Sequence, residues 1–288
     1  MIGTIRPRRS VLYMPGSNAR ALEKAQGLPA DALILDLEDA VAPDAKDLAR
    51  QQVAAAVKAK GFGKREVVIR VNALSTPWGA DDLAAAAEAG PDAILVPKVS
   101  TPGELAEIEG RLGGARVALW AMVETPLAIL NIASIAAAGG RLSCFVMGTN
   151  DLIKEFRGKH TQDRQNLSAA LGLSVAAARA HGLAAIDGVY NDIKNADGFA
   201  ESCRQGLSFG FDGKTLIHPS QIEPCNEVFA PSAEEVAGAR EIIAAFELPE
   251  NRGKGAIALN GRMVELLHAE IARQTVALAD AIAALENA

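Results

Sequence analysis

The chain has 288 residues, is rich in apolar side chains (49%) and poor in aromatic ones (4%), and carries a formal net charge of −6. Such a length holds one large domain or two small ones with a sizeable core, and the mildly acidic balance offers no basic stripe for nucleic acid. No window reaches the ~20 apolar residues that cross a bilayer, and the three cysteines, Cys144, Cys203 and Cys225, have no C-x-x-C spacing that would mark a disulfide framework or a zinc site.

Apolar runs recur along the chain at residues 11–14, 32–37, 67–71, 93–96, 117–123, 142–147, 183–189 and 214–217. Helical spacing fills the gaps between them, as at residues 44–60, 81–89 and 104–112. Alternation of this kind predicts a parallel sheet whose strands are buried on both faces. Eight such strands close a (β/α)8 TIM barrel, and the usual ~250 residues suit the span to about Pro219. An open doubly wound sheet is disfavoured, because YMPGSNARALEKA after the first run lacks G-x-G-x-x-G. Residues 1–220 are therefore expected to form the barrel. Residues 221–288 are expected to form a C-terminal helical extension packed on the barrel or on a neighbouring subunit. In it, residues 232–246 form a helix with Ser232 as N-cap and Glu235 at the capping-box position. A turn-rich stretch, PENRGKGAIALNGRM, follows, and then a second helix over 264–285.

Barrel chemistry sits at the C-terminal ends of the strands. Those ends carry YMPGSN, DLED, RVN, VPK, VETP, GTND, DGVYND and IHPSQ in chain order. Glu124 and Asp151 come from the adjacent fifth and sixth strands, and two carboxylates with room for water suit Mg2+. Asp36, Glu38 and Asp39 would orient metal-bound water or pair with cations. Arg70, inside an apolar run, needs a partner when buried; an ion pair with the DLED acids is its simplest structural role. Asp151 also fits an N-cap, and Glu124 a loop carboxylate. Lys98 at the fourth strand end raises a Schiff-base alternative, against a plain ion pair with the acids. His218 suits a structural hydrogen bond. Arg20 and Lys24, one helical turn apart beside the Pro-Gly turn, suit phosphates or a solvated basic face.

The ordered set RSVLYMPGSNARALEKA, ALILDLEDAVAPDAK, VIRVN, VPKV, VETP, GTNDL, DGVYND and GFDGKTLIHPSQI resembles the citrate lyase β-subunit-like and malyl-CoA lyase group of the HpcH/HpaI aldolase superfamily. The resemblance runs from Arg9 to about Ala279. It implies a TIM barrel, a Mg2+ ion (Mn2+ as the alternative) on Glu124 and Asp151, and Arg70 as a catalytic group at the thioester. Tyr13, Lys24, Arg70 and Glu124 would contact the acyl-CoA. The implied reaction is reversible C–C cleavage of a 3-hydroxyacyl-CoA such as malyl-CoA, β-methylmalyl-CoA or citramalyl-CoA, with glyoxylate or pyruvate as the oxo-acid partner. A malyl-CoA thioesterase and a non-catalytic citrate-lyase-like subunit are the alternatives. Relatives of this length place a C-terminal segment with a catalytic aspartate over a neighbour's site in a homotrimer or hexamer. Here NGRMVELLH puts Glu265 at that position. The N-terminal MIGTIRPRRSVLYMPG has no long apolar core, so a cytoplasmic protein is expected.

Overall fold

A computed structural model describes residues 5–287. It divides into two compact units, residues 8–229 and residues 230–287 with 5–7.

The first unit is a closed barrel of eight parallel strands in sequential order. They are β1 (Ser10–Pro15), β2 (Ala32–Asp36), β3 (Glu66–Arg70), β4 (Ala93–Val96), β5 (Ala118–Val123), β6 (Leu142–Met147), β7 (Ala184–Asp187) and β8 (Gly213–Leu216). Each overlaps one of the apolar runs, with ends that coincide or differ by a residue or two. The strands alternate in the way the pleat requires. Val11, Ile34, Val68, Leu95, Trp120, Val146 and Ile186 fill the barrel interior. Their neighbours Leu12, Leu33, Leu35, Ile69, Ile94 and Leu119 pack outward with the apolar faces of the helices.

The helices are α1 (Ala19–Ala25), α2 (Lys46–Lys58), α3 (Gly79–Ala89), α4 (Pro102–Leu112), α5 (Pro126–Leu130), α6 (Ile132–Ala136), α7 (Thr149–Glu155), α8 (Ser168–Ala180), α9 (Ala196–Phe209) and α10 (Ile222–Phe229). Side-chain caps start several of them: Asn18 accepts from Ala21 N, Thr101 from Glu104 N, and Thr125 from Ala128 N. Helix α10 packs on β1, β8 and α9, so the barrel unit continues past residue 220.

The N-terminal end of the barrel is closed by charge pairs. Arg8 meets Glu66 through Nε at 2.6 Å and Nη2 at 2.8 Å, and its guanidinium lies 5.2 Å from the centre of the Trp120 ring. Arg9 grips Asp31 with two side-chain bonds of 2.9 Å. These two arginines thus lie at the end of the strands opposite the acidic motifs.

In the second unit, α11 (Ala233–Glu247) carries the expected capping box: Glu235 N donates to Ser232 Oγ at 3.1 Å, and Ser232 N to Glu235 Oε2 at 2.7 Å. The turn-rich stretch contains an antiparallel hairpin, β9 (Ala256–Leu259) and β10 (Arg262–Glu265), before α12 (Leu266–Glu286). Its turn places Asn260 at φ 49° and Gly261 at φ 75°. Two successive positive φ values are what a two-residue hairpin of this twist demands, and Asn-Gly meets that demand at little cost. Ala245, Phe246, Ile257, Val264 and Ala269 form the unit's own core. Met263, Leu266, Leu267 and Ile271 stay at least half exposed.

Candidate active site

The C-terminal rim of the barrel gathers the acidic motifs around one guanidinium. Arg70 ends β3 and is buried. It donates from Nε to Asp36 Oδ1 at 2.7 Å and from Nη2 to Asp36 Oδ2 at 2.6 Å. Asp36 is the register partner of Arg70 across the β2–β3 ladder, which brings the two side chains together. The remaining nitrogen, Nη1, lies 2.9 Å from Glu38 Oε2 and 3.7 Å from Asp39 Oδ2. The Tyr13 ring lies beneath the guanidinium, 4.8 Å from ring centre to Cζ. A cation over an aromatic face is attractive when water is excluded.

The three acids of DLED therefore differ. Asp36 is fully buried and also accepts from the backbone N–H groups of Glu38 and Ala40 at 2.8 and 3.0 Å, so both its oxygens are committed within the protein. Asp39 is largely exposed. Glu38 is buried, and burial pushes its carboxyl up to about 7, with Arg70 opposing and Asp39 and Asp36 adding to the rise.

Glu124 follows β5 directly and is 2% exposed. Its Oε1 accepts from the backbone N–H of Lys98 at 2.7 Å. Lys98 holds that N–H in place with a left-handed backbone, φ 57°, while its side chain stays exposed. Among the described residues no lysine or arginine forms an ion pair with Glu124. Burial pushes its carboxyl up to about 8, with Glu38 and then Asp151 adding to the rise. Asp151 is the third residue of α7, whose N-cap is Gly148 with no side-chain bond, so Asp151 does not serve as the cap. Its carboxylate is partly exposed, 3.9 Å from Lys154 Nζ.

Gly148 makes this arrangement possible. A Cβ there would lie 2.4 Å from Glu124 Cβ and 2.7 Å from Glu124 Oε2. The turn from β6 into α7 thus passes against the Glu124 side chain, and only glycine leaves room for it.

Glu124 thus feels the negative charge of Glu38 and Asp151 on top of its burial, with the Arg70 guanidinium opposing. A buried carboxylate raised by its acidic neighbours is the electrostatic setting of a cation site. Among the described residues no cage of three or more His, Cys, Asp or Glu ligands occurs. Two carboxylates with the remaining positions left to water or substrate suit Mg2+ rather than an ion that demands a closed protein shell. The donor set fits the ion expected from the sequence.

The other candidates lie as follows. Lys24 and Arg20 are exposed on α1. His218 starts a short 3-10 turn, with its Nδ1 within 2.7 Å of Ser220 Oγ, a capping role. Glu265 precedes α12 in the second unit, and its backbone N–H donates to His268 Nδ1 at 2.9 Å.

Two buried polar groups went unremarked in the motifs that contain them. Lys46 is the last residue of ALILDLEDAVAPDAK and lies buried among backbone carbonyls beside the rim. Asp187 opens DGVYND, yet its carboxylate turns out of the barrel toward α9. There it pairs with Lys214 at 2.7 Å and with Arg164 at 2.7 Å. Asp187 and Lys214 are register partners on neighbouring strands and so share one face of the sheet, and an aspartate and a lysine at matching positions of the seventh and eighth runs were the available signal for that pairing.

Comparison with known proteins places the chain in a family. Residues 9–219 match the HpcH/HpaI aldolase/citrate lyase family model. A (3S)-malyl-CoA thioesterase of Cereibacter sphaeroides is 52% identical over 278 residues, covering 96% of both chains. The citrate lyase subunit beta of Escherichia coli K12 is 37% identical over 270 residues, covering 90% of this chain and 89% of its own. The fold is similar to that of Mycobacterium tuberculosis CitE in complex with magnesium, acetoacetate and coenzyme A, with a TM-score of 0.74 and 32% identity over 93% of this chain and 97% of that one.

Proposed function

Because this chain belongs to the HpcH/HpaI aldolase/citrate lyase family, we propose that its barrel mouth is a divalent-metal-dependent active site for a CoA thioester of a small hydroxy diacid, with (3S)-malyl-CoA as substrate and hydrolysis as the reaction. The observation that carries this reading is the buried Glu124, which among the described residues bonds to the Lys98 N–H and to no cationic side chain and is pushed up by burial, Glu38 and Asp151, while Arg70 meets Glu38 at 2.9 Å. The 52% identical thioesterase favours hydrolysis over carbon–carbon cleavage.

A Mg2+ ion held by Glu124 and Asp151 would supply Lewis-acid polarisation of substrate oxygens; Mn2+ accepts the same donors. The chain's own groups do the rest. Lys98 N–H and the Gly148 turn hold Glu124 in one orientation. Asp36 holds Arg70 by two bonds, and a substrate oxygen would share or displace the contact that Nη1 makes with Glu38 Oε2 at 2.9 Å. A guanidinium fixed in this way stabilises the oxyanion formed at the thioester carbonyl without exchanging protons itself. In hydrolysis water adds to that carbonyl, the C–S bond breaks, and CoA leaves as the thiol with the proton that water gave up. Malate is the acid product. Tyr13 and Lys24 remain proposed contacts of the acyl-CoA, and Asp39 a proposed partner of bound water.

The lyase reading is favoured by the 37% identical citrate lyase subunit. There the substrate hydroxyl loses its proton, the adjacent C–C bond breaks, and glyoxylate (or pyruvate, from citramalyl-CoA) leaves beside an acyl-CoA enolate that Arg70 would stabilise. Glu265 is proposed as the acid–base group, supplied by a neighbouring copy in a homotrimer or hexamer. The exposed Met263, Leu266, Leu267 and Ile271 around it support a protein contact on that face.

The test is one incubation of purified protein with Mg2+ and (3S)-malyl-CoA. Malate and free thiol in equal amounts are expected. Glyoxylate and acetyl-CoA in their place would establish the lyase, and no turnover of malyl-CoA, β-methylmalyl-CoA or citramalyl-CoA would overturn the reading.

A further inference from the structure

Lys46 is buried, and its ammonium makes three hydrogen bonds of 2.8 Å: to the carbonyl of Leu37, to the carbonyl of Glu38, and to Asn72 Oδ1. No carboxylate accepts any of the three. A buried ammonium is costly to desolvate, and an apolar side chain of similar size would often serve packing as well or better. What the three acceptors share is position. Leu37 and Glu38 begin the loop after β2, and Asn72 follows the end of β3. The ammonium therefore ties the loop that carries Glu38 to the strand that carries Arg70.

The tie is braced on every side. Asn72 Nδ2 donates to the Leu37 carbonyl at 2.8 Å and to Asp82 Oδ2 at 2.6 Å, and Asp82 Oδ1 accepts from Arg50 Nε at 2.7 Å. Lys46 and Arg50 are one turn apart on α2, and Asp82 lies on α3. The Lys46 ammonium also lies 5.2 Å from the centre of the Trp78 ring. On the far side of the same loop, Asp36 accepts from Glu38 N and Ala40 N. The main chain at Glu38 is held from both sides, and its carboxylate is delivered 2.9 Å from Arg70 Nη1.

We propose that Lys46 is a positioning residue of the active site: it fixes the main chain at Glu38 so that this carboxylate is held against Arg70 at the rim that carries the Glu124–Asp151 pair. The proposal rests on the reading of that pair as a Mg2+ site. Without Lys46 the Glu38 carbonyl loses a partner, the loop gains freedom, and Glu38 no longer confronts Arg70 in one orientation.

The experiment titrates Mg2+ into purified full-length protein by calorimetry and measures kcat and KM in parallel. Lys46→Met is expected to weaken Mg2+ binding about tenfold and to lower kcat more than it raises KM, in the range of ~10–100-fold losses typical of groups that orient metal ligands. Asn72→Ala, which removes one of the three acceptors, serves if K46M fails to fold and is expected to move the same readouts less. Leu171→Ala, a core truncation on α8 behind the barrel wall, is expected to lower the melting temperature with Mg2+ affinity and kcat/KM unchanged. In a Glu38→Gln background, K46M is expected to add less than a twofold further loss, since both changes act on one carboxylate. Wild-type Mg2+ affinity in K46M, equal losses in L171A, or losses that multiply in the double variant would each overturn the role of Lys46. A wild-type protein that binds no Mg2+ would instead overturn the reading of the metal site.

Discussion

Arg70 and Asp36 face each other across the β2–β3 ladder and share two hydrogen bonds, 2.7 and 2.6 Å, at the floor of the mouth. The pair is buried, so neither partner can be removed without leaving a charge in a poor solvent. Asp36→Asn is expected to cost ~3–5 kcal/mol, the loss seen when one partner of a buried pair is removed, measured by denaturant unfolding. A cost below 1 kcal/mol would show that the pair does not hold Arg70.

Arg70→Lys keeps a positive charge and loses the planar fork that meets both Asp36 oxygens. The ammonium then has no second geometry that serves Asp36 and the substrate together. The expected result is a fall in kcat of ~10²–10³, the usual loss for one oxyanion donor, read by thiol release from malyl-CoA. A variant within threefold of wild type would remove Arg70 from the chemistry.

Gly148→Ala places a methyl 2.4 Å from Glu124 Cβ and 2.7 Å from its Oε2. Glu124 has to move, and with it one of the two oxygen donors for Mg2+. An affinity loss of ~10–100-fold is expected by calorimetry, the size typical of a disturbed metal ligand. Gly172→Ala is the contrast: nothing lies within 4 Å of its Cβ, and it sits inside α8. That change is expected to raise stability by ~0.5–1 kcal/mol through helix propensity alone.

Asp187 supplies the pH dependence. Burial by itself would raise its pKa, but Lys214 and Arg164 outweigh burial and hold it below the ordinary value of 3.8. A group depressed in the folded state contributes stability that is fully present above the unfolded pKa and is lost as pH falls through the folded one. The wild type is therefore expected to lose stability in acid below pH ~4. Asp187→Asn should lower stability at neutral pH and flatten the dependence in that acid window. An unchanged acid limb in D187N, followed by circular dichroism across pH, would assign the loss to other carboxylates.

The barrel was legible because its strands are buried on both faces. Continuous apolar runs such as those ending at Val71 and Val96 have no other stable use at that length and spacing. The rim motifs were legible for the same reason: a carboxylate or guanidinium at the end of such a run has to face the mouth or find a partner. The hairpin of β9 and β10 was not anticipated, though Asn260-Gly261 is its turn signal. Its four-residue strands are too short for alternation to stand out from the surrounding polar residues.

Residue identity and spacing alone thus set the strand count, the order of the rim motifs and the placing of Glu124, Asp151 and Arg70 at strand ends, because the pleat and the βα repeat leave little freedom there. Only the folded chain decided that Asp36 is spent on Arg70, that Glu38 meets Arg70 Nη1, that Lys46 ties two strand ends together and that Asp187 turns away from the mouth. Those facts depend on which side chains meet across distant parts of the chain. A local pattern cannot contain them, since the free energy of a buried charge is fixed by partners that tertiary packing brings near.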